Sequence, residues 1–93
     1  MYGIIGRIEA VPGKRDELAR VLHEGSRGMA GCHSYIVALD SSDEDSVWVT
    51  EVWDDADSHR ASLSIPSVQT AIEKGRPLIA AFGERFITTP IGE

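Results

Sequence analysis

The stretch that most limits how this chain can fold is Ser46 to Ser62, SVWVTEVWDDADSHRAS, which changes character in its middle. Val47 to Trp53 is rich in β-branched and aromatic residues and contains no breaker, which is typical of a strand with neighbours on both sides. Asp54 and Asp55 can then accept backbone N–H bonds at a helix start. We therefore expect a strand followed directly by a short helix over Ala56 to Leu63.

Trp53 lies where this strand becomes the helix, and His59 follows six residues later. If the helix folds onto the sheet, the imidazole of His59 returns over the end of the strand. An indole and an imidazole near one sheet end form either a site or ordinary packing. The sequence pattern leaves both interpretations open, with His59 alternatively exposed to solvent.

Composition excludes several classes of function. We expect a single domain over residues 1–93, and the net charge of −6 with a pI near 4.9 argues against a nucleic-acid surface. Cys32 is the only cysteine, so no internal disulfide or cysteine-based zinc site is expected. The N-terminus is not typical of a secretion signal, and no segment has the apolar length of a membrane span. A cytoplasmic protein without membrane partners is the expectation.

The remaining elements follow from periodicity and breakers. Gly6 in the first strand leaves room above the sheet or is simply tolerated there. The first helix has an apolar face and weak helix formers after Gly25, so we expect it to break near Gly28 or Gly31. The predicted elements are a strand over Tyr2 to Val11, a helix opened by Pro12-Gly13, a strand over Cys32 to Leu39, a hairpin loop over Asp40 to Ser46, a helix over Pro66 to Gly75, and a strand over about Glu84 to Thr89.

Two details of this pattern bear on a site. Alternation along the second strand places His33 on the same face as Tyr35. The acidic loop, DSSDEDS, invites a calcium interpretation but lacks the spacing of an EF-hand loop, so a solvated hairpin tip is favoured.

The order β-α-β-β-α(α)-β predicts an α+β fold of the ferredoxin-like type, a sandwich with an antiparallel sheet and helices on one face. The third strand has apolar residues on both sides, Trp48 and Val52 against Val49 and Trp53. Exposure of either face of this strand to water would therefore be unfavourable. A second copy of the chain is the simplest cover for the side without helices, so we expect a homodimer.

Several motifs together resemble the antibiotic biosynthesis monooxygenase family. The similarity spans nearly the whole chain, and its most specific part is the Glu-x-Trp of the third strand followed by a short helix. The matching motifs are Pro12-Gly13-Lys14, Glu17-Leu18, Gly31-Cys32 with Tyr35, Val49-Thr50-Glu51-Val52-Trp53, and Arg76-Pro77-Leu78.

The resemblance implies a dimeric α/β barrel built of ferredoxin-like protomers. Family members include cofactor-independent oxygenases of anthrone-like polyketides, quinol monooxygenases and haem-degrading enzymes. Trp53 matches the family's pocket tryptophan, and Glu51 matches the glutamate before it. Ser62 stands where quinol-type members tend to carry a histidine. Haem degraders carry an asparagine at the position of Gly6, and this chain contains none, which disfavours haem use.

The resemblance implies a monooxygenase that acts on a phenolic, quinol or anthrone-like ring with dioxygen, with no bound cofactor and no metal. Trp53 and Tyr35 are the candidate aromatic wall. His59 or His33 is the candidate proton acceptor, because histidine exchanges protons near neutral pH. The candidate substrate-binding residues are Glu51, Ser62, Arg7 and Arg76. The alternative is a non-catalytic aromatic-ligand-binding or stress-associated protein of the same fold.

Overall fold

The computed structural model describes residues 1–92, which form an antiparallel sheet with helices packed against it. The elements, in chain order, are β1 (Tyr2–Ala10), α1 (Arg15–Gly25), β2 (Cys32–Leu39), β3 (Ser46–Trp53), α2 (Ala56–Ser62), α3 (Pro66–Gly75), a 3₁₀ turn (Arg76–Leu78) and β4 (Ile79–Thr88).

The strand order is β2-β3-β1-β4, with every neighbouring pair antiparallel. This arrangement confirms the predicted ferredoxin-like α+β fold. Strand β3 is central and pairs over its full length with β1, from Tyr2 opposite Trp53 to Glu9 opposite Ser46. The sequence predicts that Val47 to Trp53 form a strand with a neighbour on each side, and β3 lies between β2 and β1.

One face of the sheet packs against the helices and forms the core. Val47, Val49 and Trp53 are buried on this face, together with Ile4 of β1. Leu18 of α1 is fully buried in one cluster with Val47 and Val49. Burial of a leucine side chain of this kind contributes about 1.5–3 kcal/mol, so α1 is held mainly by packing.

The other face, which we call the open face, is less protected. Because side chains alternate along a strand, it carries the residues between those of the core. Ile36 and Phe86 are 57% and 52% exposed there. The open face comprises Ile5, Ile36, Trp48, Thr50, Val52 and Phe86.

The hairpin tip between β2 and β3 is held by its own aspartates. Asp40 Oδ1 accepts hydrogen bonds from the backbone N–H groups of Ser42 and Asp43, at 2.8 and 2.9 Å. Arg15 Nη1 of α1 donates to the carbonyls of Asp40 and Asp43. Within residues 1–92, no group of three or more His, Cys, Asp or Glu side chains is arranged to hold a metal ion.

The transition from β3 to α2 confirms the predicted cap. Asp55 has an extended backbone, and its Oδ1 accepts a 2.7 Å bond from the N–H of Ser58. The N–H of Asp54 donates to the carbonyl of Gly31 at 2.9 Å. Gly31 has a φ of +78°, a region that favours glycine, and this turn holds the start of β2 beside the end of β3.

Several predicted boundaries were wrong. Strand β4 begins at Ile79 rather than near Glu84, because two register shifts against β1 interrupt its alternation. Helix α1 ends at Gly25, before the predicted break, and β1 ends at Ala10 rather than Val11.

The strand pairing is irregular at His33. A register shift between Cys32 and Ser34 places Cys32 opposite Trp53 and Tyr35 opposite Glu51. His33 falls at this irregularity, and its side chain is 38% exposed and contacts Asp54. Among residues 1–92, no helix has the length and apolar character required to cross a membrane.

Candidate functional site

A cavity of about 460 Å³ lies between the helices and the covered face of the sheet, and we call it the main cavity. Its size falls in the usual range for small-molecule sites. Much of its wall is apolar, including Leu22 and Met29 on one side and Val68 and Ile72 on another. Six of the eight predicted site residues line it, namely Tyr35, Glu51, Trp53, His59, Ser62 and Arg76.

Trp53 belongs to both the core and the cavity wall. Its side chain is 1% exposed and packs with Ile4 and Met29. The ring of His59 meets the indole edge-on, with centroids 5.4 Å apart and planes at 70°. Tyr2 lies on another side of His59, at a centroid distance of 6.1 Å. Helix α2 therefore folds back over the strand end, and His59 is held between two aromatic rings.

Glu51 is the acidic group beside this aromatic cluster. Its Oε1 accepts a 3.0 Å hydrogen bond from the indole Nε1 of Trp53. His59 Nε2 lies 3.8 Å from the same oxygen, which is an ion-pair distance rather than a hydrogen bond. Burial raises the pKa of Glu51, and the Trp53 hydrogen bond and the charges of His59 and Arg85 oppose that shift.

Tyr35 presents its ring to the main cavity from β2. Among residues 1–92, its hydroxyl has no hydrogen-bond partner. Burial, with a smaller contribution from the charge of Glu51, raises the pKa of this phenol well above its ordinary value. Tyr35 therefore stays protonated and can donate a hydrogen bond to a bound ligand.

Ser62 and Arg76 occupy less direct positions. The Ser62 hydroxyl is buried and donates to the backbone carbonyl of His59 at 2.6 Å, so its proton is engaged within α2. Arg76 begins the 3₁₀ turn after α3 and lines the cavity with a side chain that is otherwise exposed to solvent.

The other two predicted residues lie outside the main cavity. His33 Nε2 contacts Asp54 Oδ1 at 2.5 Å, with side chains 38% and 57% exposed. Arg7 binds Glu84 through Nε at 2.7 Å and the Ser46 hydroxyl through Nη1 at 3.0 Å. The geometry therefore separates His59 from His33 as the histidine at the cavity.

The antibiotic biosynthesis monooxygenase family model matches residues 1–74 of the chain, from β1 to the end of α3. This protein belongs to that family. The matched residues include Tyr35, Glu51, Trp53 and His59 of the main cavity. Strand β4 lies beyond the match.

Solved structures agree with this assignment. A Chloroflexus aurantiacus protein named after the same family is 56% identical, with a TM-score of 0.96 over 99% of this chain and 94% of its own. A Deinococcus radiodurans protein named likewise is 25% identical, with a TM-score of 0.79 over 100% and 94%. A Pseudomonas aeruginosa protein at 20% identity, covering 98% and 94% with a TM-score of 0.83, shows the shared fold. No curated protein matches the sequence.

The cavity residues that sequence reasoning missed include two on β4, Phe82 and Arg85. Phe82 is 75% exposed and lines the main cavity, and Arg85 lines a second cavity beside it. The β4 register places Phe82 opposite Ile8 and Arg85 opposite Gly6. The signal was present, because a ferredoxin-like sheet pairs its first and last strands, and the glycine in β1 was already singled out as leaving space.

Proposed function

We propose that this protein is a cofactor-independent monooxygenase that oxidises a phenolic, quinol or anthrone-like ring with dioxygen. The observation that supports it most is the junction of β3 and α2. There the indole of Trp53, the imidazole of His59 and the carboxyl of Glu51 meet at an apolar cavity of about 460 Å³. Membership of the monooxygenase family supports the reaction type.

In this proposal the substrate supplies the electrons. His59 accepts a proton from the ring system, and the nearby Glu51 carboxylate, 3.8 Å away, stabilises the imidazolium that forms. The Tyr35 hydroxyl donates a hydrogen bond to the resulting oxyanion. The apolar walls exclude water around the anion, which strengthens both interactions.

The reaction then balances without an external reductant. The substrate anion gives one electron to dioxygen, and the carbon radical combines with superoxide to form a peroxide. For an anthrone-like methylene carbon, loss of water from the protonated peroxide leaves a ketone. The carbon loses two hydrogens and gains one oxygen atom of dioxygen, and the other oxygen atom leaves as water.

We also propose that the open face is covered by a second copy of this chain. Ile36 on one edge strand and Phe86 on the other leave apolar surface exposed across the width of the sheet. Sedimentation at micromolar concentration should give twice the chain mass, and Ile36→Lys should shift the mass towards one chain. A wild-type mass of one chain contradicts the dimer. The single-domain organisation, cytoplasmic location and lack of nucleic-acid partners expected from the sequence stay predictions.

Oxygen uptake tests the proposed reaction. The purified protein is given a panel of anthrones and hydroquinones with a metal chelator present, and uptake is compared with autoxidation. We expect activity in the wild type, a strong loss in Trp53→Phe and His59→Ala, and retention in the matched control His33→Gln. Uptake that the chelator abolishes, or no uptake with any ring, contradicts the proposal. Ring binding without uptake indicates a ligand-holding protein instead.

A further inference from the structure

A second cavity of about 260 Å³ adjoins the main cavity, and we call it the side cavity. The two share four lining residues, Ile8, Tyr35, Glu51 and Phe82. The side cavity also reaches Gly6 of β1 and Arg85 of β4, which are paired across the sheet. A group bound beside Trp53 is therefore next to space that ends at an arginine.

Gly6 keeps that space open. A Cβ atom at this position would have only the backbone oxygen of Glu84 nearby, at 3.9 Å. The glycine is therefore not required by close packing, and its φ is not in the left-handed region. Because glycine has no side chain, the face of the sheet at Gly6 stays open to the side cavity.

Arg85 is the cation in the side cavity for which residues 1–92 supply no hydrogen-bond or ion-pair partner. Arg7 is engaged by Glu84 and Ser46, and the Glu51 carboxylate is bonded to Trp53. Among residues 1–92, no hydrogen bond or ion pair satisfies the guanidinium of Arg85. Its charge acts on Glu51 only at longer range.

We propose that the side cavity binds a carboxylate substituent of the aromatic substrate, with Arg85 as the specificity-determining residue. This rests on the proposed function, because the ring itself is placed in the main cavity. A guanidinium can hold a carboxylate through two parallel hydrogen bonds. The net charge of −6 repels anionic ligands from the protein as a whole, so a carboxylate binds only where a local cation such as Arg85 attracts it.

Binding of a pair of rings that dioxygen does not oxidise tests the proposal without turnover. The probes are anthraquinone-2-carboxylate and its neutral carboxamide, measured by calorimetry on wild type, Arg85→Gln, Arg85→Lys and Gly6→Val. Arg20→Gln, an exposed arginine outside both cavities, controls for the change in net charge. Thermal melting of each variant confirms folding.

We expect the wild type to prefer the carboxylate about tenfold or more, as for hydrogen bonds to charged groups. The preference should vanish in Arg85→Gln, persist in Arg85→Lys and Arg20→Gln, and fall in Gly6→Val while the carboxamide still binds. Equal binding of both probes by the wild type, or an unchanged preference in Arg85→Gln, overturns the Arg85 assignment alone. Failure of the wild type to bind either ring overturns both this inference and ring binding in the main cavity.

Discussion

Two histidine–carboxylate pairs lie close to the β3–α2 junction. The pair with the longer distance between its charged atoms is the one in which we expect the stronger interaction. His33 and Asp54 are in contact at 2.5 Å on the surface, whereas His59 and Glu51 are 3.8 Å apart at the cavity. Water screens the first pair, and its strength is small however short the contact. The second pair has side chains only 20% and 13% exposed, where each charge acts more strongly on its neighbour.

The surroundings of the two pairs explain why only one is a candidate site. His59 is flanked by the rings of Trp53 and Tyr2, and Glu51 accepts the indole hydrogen bond. The side chains of the outer pair are 38% and 57% exposed, so water reaches both of its charges. A histidine near a carboxylate is therefore informative about chemistry only when a cavity and a desolvated wall accompany it.

The largest expected effect is the difference in oxygen-uptake activity between variants of the inner pair and variants of the outer pair. His59→Gln should lower kcat/KM for oxygen uptake about 100-fold, because a positioned general base contributes at least that much. His33→Gln should stay within about twofold of wild type, as a surface substitution. Equal losses in the two variants would remove the distinction between the inner and outer pairs.

The next effect concerns the indole that supports the inner pair. Trp53→Phe keeps an aromatic ring but removes the donor to Glu51, and we expect it to lower the free energy of unfolding by about 1–3 kcal/mol. Trp48→Phe on the open face is the comparison, and both variants are made in the Ile36→Lys background so that a second copy does not cover Trp48. It should cost less there, because within one chain its indole is partly exposed and bonds the hairpin aspartate Asp40 at 2.7 Å. Urea unfolding of the two variants measures the difference. A larger loss in Trp48→Phe would contradict it.

A smaller effect appears in the pH dependence of stability. Burial raises the pKa of Glu51 above its ordinary value of 4.5, so the folded state binds this proton more tightly than the unfolded state. The stabilisation is full below the ordinary value and is lost as the pH rises through the raised one. Glu51→Gln should therefore gain thermal stability relative to wild type as the pH increases across that window. A difference that does not change with pH would show that Glu51 is not desolvated on folding.

The smallest effect is expected from the outer pair. Asp54→Asn should change the free energy of unfolding by no more than about 1 kcal/mol, the range of exposed ion pairs. Raising the salt concentration should erase what remains. Denaturant unfolding at low and high salt measures this, and a loss as large as that of Trp53→Phe would mean that the outer pair holds the junction together.

The same region shows what the sequence could predict. The composition of Val47 to Trp53 is typical of a strand with two neighbours. The Asp55 cap and the six-residue spacing from Trp53 to His59 bring the imidazole onto the indole. These depend on local preferences and short spacing, which a sequence carries directly. The fold order and the Trp53–His59–Glu51 cluster followed from them.

The features that the sequence did not predict depend on irregular pairing between strands. The shift after Cys32 interrupts the alternation expected at His33, and the two shifts in β4 hide the first half of that strand and the positions of Phe82 and Arg85. A bulge adds one residue to one strand and inverts the alternation beyond it, and no composition signal marks where this occurs. The fold predicts that the first and last strands pair and Gly6 indicates space there, but the register that places Arg85 opposite Gly6 depends on the two shifts in β4 and could not be predicted.

The most direct test of the central claim is the fate of ¹⁸O-labelled dioxygen during oxidation of an anthrone by the chelator-treated protein, followed by mass spectrometry of the product. We expect one labelled oxygen atom in each product molecule, and loss of enzymatic product with His59→Gln but not with His33→Gln. A product without the label, or labelled product formed equally by the His59 variant, would contradict a monooxygenase site at the β3–α2 junction.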